Sequence, residues 1–167
     1  MAVAWGNEKK PKFLGLLTGA VAGLATITPA AGYVSPTTAA IIGILAGVVC
    51  YYAVELKNKL QWDDALDVWG VHGVGGFLGI LLLGVFADKH FNPAGADGWL
   101  RGNPSFLMKQ TVAVLFSSAW AFVFTYGMLR IIDMFTTVKV DELSEKIGLD
   151  EAIHGERAYE GLDDLIG

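Results

Sequence analysis

Charged and apolar positions alternate along this chain in long blocks. Residues 13–34, 35–54, 68–87 and 110–129 contain no Asp, Glu, Lys or Arg, and each run is at least 20 residues long. About 20 helical residues, at a rise of ~1.5 Å each, cross a hydrocarbon layer of ~30 Å. The runs show no polar face at a period of 3.6, so in water each helix would expose apolar surface on every side. The pattern predicts an all-α, polytopic membrane fold with four spans at about 13–34, 35–56, 67–87 and 107–132.

Breaks between the runs refine this picture. The first span runs into Thr28-Pro29-Ala30-Ala31-Gly32, where proline removes an amide donor and glycine relaxes φ. Such a break is either packed inside protein, where neighbours satisfy the freed carbonyls, or an ordinary turn between two helices. The segment 88–109 carries Asn92-Pro93 and Asn103-Pro104 among several glycines and reads as a surface loop. Gly15, Gly19 and Gly23, then Gly43 and Gly47, then Gly75 and Gly79 form GxxxG stripes that predict close helix packing in lipid.

Composition changes the picture in one respect. Of 167 residues 53% are apolar and 17% charged, with a formal net charge of -5, but the acidity is local. Beyond Leu129 there are 10 acidic and 4 basic side chains. The chain therefore divides into 1–12, read as the end of a preceding helix and a cytoplasmic link, a transmembrane region 13–132, and a cytoplasmic tail 133–167. Each span reverses sides, so nine Lys and Arg share the face of the tail and only Lys89, Arg101 and Lys109 lie opposite. The positive-inside rule then places both ends in the cytoplasm of a cell (plasma or inner) membrane. Met1 to Gly6 is followed by Glu8, Lys9, Lys10 and Lys12 rather than preceded by positive charge, unlike a signal peptide. Cys50 is the one cysteine and forms no intrachain disulfide.

His72, in Asp67-Val68-Trp69-Gly70-Val71-His72-Gly73-Val74-Gly75-Gly76, is the only histidine in any span. An ionisable group at membrane depth costs several kcal/mol unless it faces protein or a cavity, which marks it as a functional candidate. Three roles are open: a pore or proton-handling imidazole, an axial haem ligand, and a structural hydrogen bond. Bis-histidine ligation needs a second imidazole, and His90 and His154 both lie outside the spans. No Cys/His cluster, phosphate-binding loop or nucleophile with a neighbouring base is present. The sequence accordingly points to no enzyme, no cofactor, no metal site and no nucleic-acid partner. Asp63, Asp64 and Asp67 precede the third span, where carboxylates cap free amides or supply a negative potential at a cytoplasmic mouth. The tryptophans and the Tyr51-Tyr52 pair read as interfacial anchors.

Three ordered strings resemble the ammonium transporter family (the Amt/MEP/Rh superfamily). They are Gly19 to Ala25 followed by Thr28-Pro29-Ala30-Ala31-Gly32-Tyr33-Val34, then Asp64 to Gly76, then Gly148-Leu149-Asp150 with His154-Gly155-Glu156-Arg157-Ala158-Tyr159. The resemblance implies a homotrimer in the lipid bilayer with one narrow hydrophobic path per subunit, conducting ammonium. Family members have eleven spans, of which these would be the eighth to eleventh. Met1 to Asn7 reads like the exit of an earlier helix, so the chain is expected to be the C-terminal portion. His72 matches the second of the paired pore histidines, and Val68, one turn earlier, would line the same wall. NH4+ would lose a proton and pass as NH3. The resemblance further implies a regulatory tail, with Gly148, Leu149, Asp150, His154, Gly155, Glu156 and Tyr159 as its motif residues and a P-II signal protein as its partner. An ammonium sensor, or a haem-binding membrane subunit using His72, is the alternative.

Overall fold

A computed structural model describes residues 2–9 and 13–156. Its helices are α1 (Ala2–Glu8), α2 (Phe13–Ile27), α3 (Pro36–Lys59), α4 (Val74–Phe86), α5 (Pro104–Asp133) and α6 (Glu142–Ile147). No strand occurs among the described residues. Four segments are long and apolar enough to cross a membrane: Phe13–Ala30, Pro36–Lys59, Trp69–Phe86 and Pro104–Asp133. The chain divides into two compact units, Met1–Ser118 and Ala119–Gly167.

Proline ends α2 as its chemistry requires. The helix tightens into a 3₁₀ turn, Thr28–Ala30, and the Thr28 hydroxyl donates to the Leu24 carbonyl at 2.7 Å. Ser35 then caps α3 by accepting from the Thr38 amide at 3.0 Å, with Pro36 in the first turn. Lys57 and Lys59 stand in the last turn of α3, where cations favour the helix dipole.

In the first unit α2, α3 and α4 pack against one another through small side chains. Ala22, Cys50 and Val71 form one buried cluster, joined by Ala25 and Val54. Ala30, Val34 and Ile42 form a second, covered by Leu82, Leu83 and Phe86. Gly75 and Gly79 of the third stripe are pressed hard. A Cβ on Gly75 would lie 2.8 Å from Thr26 Oγ1, and one on Gly79 would overlap the Thr26 carbonyl oxygen. A Cβ on Gly23 would meet the Gly43 Cα at an ordinary 4.0 Å, and one on Gly47 would meet open space. Thr26 is fully buried, with the Cys50 thiol as the polar neighbour of its hydroxyl.

After α4 the chain is tied back: the Asp88 amide donates to the Tyr33 carbonyl at 3.0 Å and the Gly98 amide to the Ala87 carbonyl at 2.7 Å. Gly98 sits so close that a Cβ would fall 2.6 Å from the Val85 carbonyl oxygen. Arg101 pairs with Asp88 at 2.5 Å. In the second unit, Trp120 stacks on Phe124 and Phe122 on Tyr126, and Arg130 donates to the Tyr126 hydroxyl at 3.0 Å. Asp141 caps α6 by accepting from the Ser144 amide at 2.7 Å, and the Ser144 amide and hydroxyl hold its carboxyl below the usual range.

Candidate functional site

The third span begins in a knot of charge. Asp64 accepts from the Val68 amide through Oδ1 and from the Trp69 amide through Oδ2, both at 2.9 Å, which satisfies two of the donors left free at a helix start. Partial burial pushes the Asp64 carboxyl up, but those two amides and the Lys57 ammonium outweigh it and hold the group below the usual carboxylate range. Asp67 does not cap. Its φ of 56° places it in the left-handed region, which Asp tolerates better than most residues. Its Oδ1 pairs with Lys57 Nζ at 2.8 Å. Lys57 also donates to the Asp64 carbonyl at 2.7 Å and is itself buried. Asp63 lies exposed beside them.

Residues Trp69–Gly73 form a π-helical turn, closed by the Val74 amide donating to the Trp69 carbonyl five residues back. Gly70 and Val71 within it are buried, as are Gly75 and Gly79 beyond it. Gly70 fits because a Cβ there would come 2.7 Å from Val54 Cγ2. His72 and Val68, four residues apart, are both exposed. The imidazole makes no hydrogen bond or ion pair among the described residues. Trp69 packs edge-on against Trp62 at a centroid distance of 4.9 Å.

The structure thus brings Val68 and His72 onto one open face, one turn beyond the Asp64 cap. It does not bring His90 there. His90 lies in the loop after α4, edge-on to Phe91. His154 closes a second π-helical turn, Asp150–His154, in the other unit. Gly148 and Gly155 flank that turn with φ of 107° and 68°, and Leu149 precedes it. The Glu156 amide donates back to the Asp150 carbonyl at 3.3 Å. Tyr159 lies outside the described residues. A groove of about 200 Å³ along α2 and α3 is lined by Thr18, Cys50, Glu55, Asn58 and Asp67, and neither His72 nor Val68 lines it. Among the described residues no group of three His, Cys, Asp or Glu side chains is placed to hold a metal.

Sequence reasoning missed the burial of Lys57 and of Thr26. A buried lysine is rare unless paired. The signal available was three aspartates, Asp63, Asp64 and Asp67, within ten residues of Lys57 across a short link. Nothing in the pattern distinguished Thr26 from a lipid-facing threonine.

Comparisons with known proteins agree on one family. The family model described as the Ammonium Transporter Family matches residues 1–159. An ammonium transporter of Bacillus subtilis is 45% identical over 159 residues, covering 95% of this chain and 39% of that protein. Ammonium transporter Amt1 of Archaeoglobus fulgidus is 41% identical, covering 95% and 40%. Among solved structures, Mep2 of Saccharomyces cerevisiae aligns with a TM-score of 0.79 at 33% identity, covering 85% of this chain and 33% of that one. Mep2 of Candida albicans aligns with a TM-score of 0.74 at 38% identity, with the same coverage. The chain spans about two fifths of the length of the curated relatives it matches.

Proposed function

The chain belongs to the ammonium transporter family, and from that premise we propose that it forms part of a membrane path for ammonium whose wall carries His72 and Val68. The observation that carries this reading is the placement of His72. Its side of the π-helical turn is open, next to apolar Val68, while the opposite side is buried glycine and valine. An imidazole on an open face of an apolar span, with no partner in its own unit, is placed to meet a guest or a facing group rather than to hold the fold.

The chemistry follows from what each species loses on entry. NH4+ would shed its whole hydration shell in an apolar path, whereas neutral NH3 is far cheaper to desolvate. Imidazole is the side chain whose ordinary protonation change lies nearest neutrality, and its neutral form both donates and accepts. It is therefore suited to hold or pass the proton that ammonium gives up. K+ has no proton to surrender and meets the full desolvation cost.

The proposal extends to the rest of the protein in family terms. The working unit is a homotrimer in the cell membrane, supplying nitrogen. Both ends of this chain face the cytoplasm, and the tail around Gly148-Leu149-Asp150 and His154-Gly155-Glu156 answers to a P-II signal protein. The count of basic residues on either side of the spans supports that orientation. The division into a lead-in at 1–12, spans within 13–132 and a tail at 133–167 belongs to the same reading.

Uptake into proteoliposomes of the native protein tests the function. An inward ammonium gradient drives uptake that persists in excess K+, and K+ alone is not carried. Equal passage of K+, or no ammonium-dependent uptake, contradicts the reading.

A further inference from the structure

We infer that Thr26, through its contact with Gly75, is a positioning residue for His72: it holds the π-helical turn in the register that presents the imidazole to the open face. This inference rests on the reading that His72 lines the ammonium path.

The geometry behind it is a three-point seat. Gly70 rests on Val54 of α3, Gly75 rests on the Thr26 side chain with Cys50 Sγ beside it, and Gly79 rests on the Thr26 carbonyl. Thr26 therefore meets the third span twice, once through its side chain and once through its backbone. The five-residue step from Gly70 to Gly75 is what an ordinary helix cannot place on one face. At ~100° per residue, Gly70 would point ~140° away from Gly75 and His72 only ~60° away, toward the seat. A turn closed five residues back advances roughly 80° per residue, which brings Gly70 to roughly 40° from Gly75 and carries His72 to roughly 120°. Burial agrees: Gly70 and Gly75 are buried and His72 is exposed. The extra residue of the π turn is thus what separates the seat from the imidazole.

Thr26 is held there by shape. Its hydroxyl is fully buried beside the Cys50 thiol, and it occupies the space that a Cβ on Gly75 would need. Too large a residue at 75, or too small a one at 26, leaves the turn free to change register and swing His72 toward the seat.

The test measures ammonium flux per folded protein, and ammonium-over-K+ selectivity, in proteoliposomes of the native protein. Gly75→Ala lowers flux about tenfold or more and erodes selectivity, as expected when a reacting group is misplaced by about 1 Å. Thr26→Ala lowers both to a lesser degree. The double variant T26A/G75A, which exchanges the volumes, recovers most of the flux and the selectivity. Thr26→Val keeps the shape without the hydroxyl and retains the selectivity that T26A loses, so T26A and T26V decide the matter if G75A does not fold. Wild-type flux and selectivity in both G75A and T26A, or a folded double variant no better than G75A, overturns the inference. His72→Ala, run alongside, separates the failures: if it leaves flux unchanged, the pore reading itself is wrong, whereas lost flux in H72A beside a normal G75A condemns only the positioning role.

Discussion

At Lys57 an ammonium group lies buried between the Asp67 carboxylate and the Asp64 carbonyl, at the seam where α3 hands over to the third span. Removing one member of a buried pair leaves the other charge without its partner, and such losses reach about 3–5 kcal/mol for fully buried pairs. Asp67 retains some exposure, so Lys57→Met is expected to cost about 1–3 kcal/mol. Lys57→Met combined with Asp67→Asn should cost less than K57M alone, because no lone carboxylate remains. Thermal unfolding of the detergent-solubilised protein reads both, and additive losses would show that the pair is not coupled. This residue was not legible in the sequence. A lysine in the last turn of a helix suits the dipole and the positive-inside rule equally well when exposed, and only the fold of the short link shows that it is buried. His72 stood out as a candidate, because a single histidine in a charge-free run is costly unless it faces protein or a cavity. Thr26 did not, since its burial depends on which glycines of another helix reach it.

Among the elements, the head of the third span carries the clearest pH dependence. The Asp64 carboxyl is held below its ordinary range in the fold. Its contribution is therefore fully present above the unfolded value near ~3.9 and is lost as pH falls through the lower folded value. Asp64→Ala should cost about 1 kcal/mol at neutral pH, as for other N-caps. Asp64→Asn should keep part of the cap and flatten the loss of stability on acidification. An unchanged acid profile in D64N would remove Asp64 from this role. The cap region was expected from three aspartates before an apolar run, but the sequence did not say which of them would take the amides. The π-helical turn left no mark at all, because one extra residue alters neither composition nor apolar run length, and Gly70, Gly73, Gly75 and Gly76 suit either register. The glycine stripes were likewise ambiguous: the pattern is the same at Gly47, which meets nothing, and at Gly79, which meets the Thr26 carbonyl.

For the molecule as a whole, the four charge-free runs made the architecture readable, since charge is excluded from hydrocarbon at a cost of several kcal/mol and its absence marks each crossing. Many large apolar side chains on these helices remain exposed, and among the described residues of α5 only Val114 is buried. These surfaces fit lipid or further helices. Orientation is testable through the tail, where Glu142 is exposed and the native Cys50 is buried. In Glu142→Cys, an impermeant thiol reagent should label the protein only after cells are permeabilised, and labelling of intact cells would place the tail outside. The central claim is that ammonium passes His72. The measurement that tests it most directly is ammonium-dependent flux through the native protein in proteoliposomes, wild type against His72→Ala, at matched amounts of folded protein. The account predicts that H72A loses the flux or its discrimination against K+ while its unfolding temperature stays near wild type. Unchanged flux and selectivity in a folded H72A protein would contradict it.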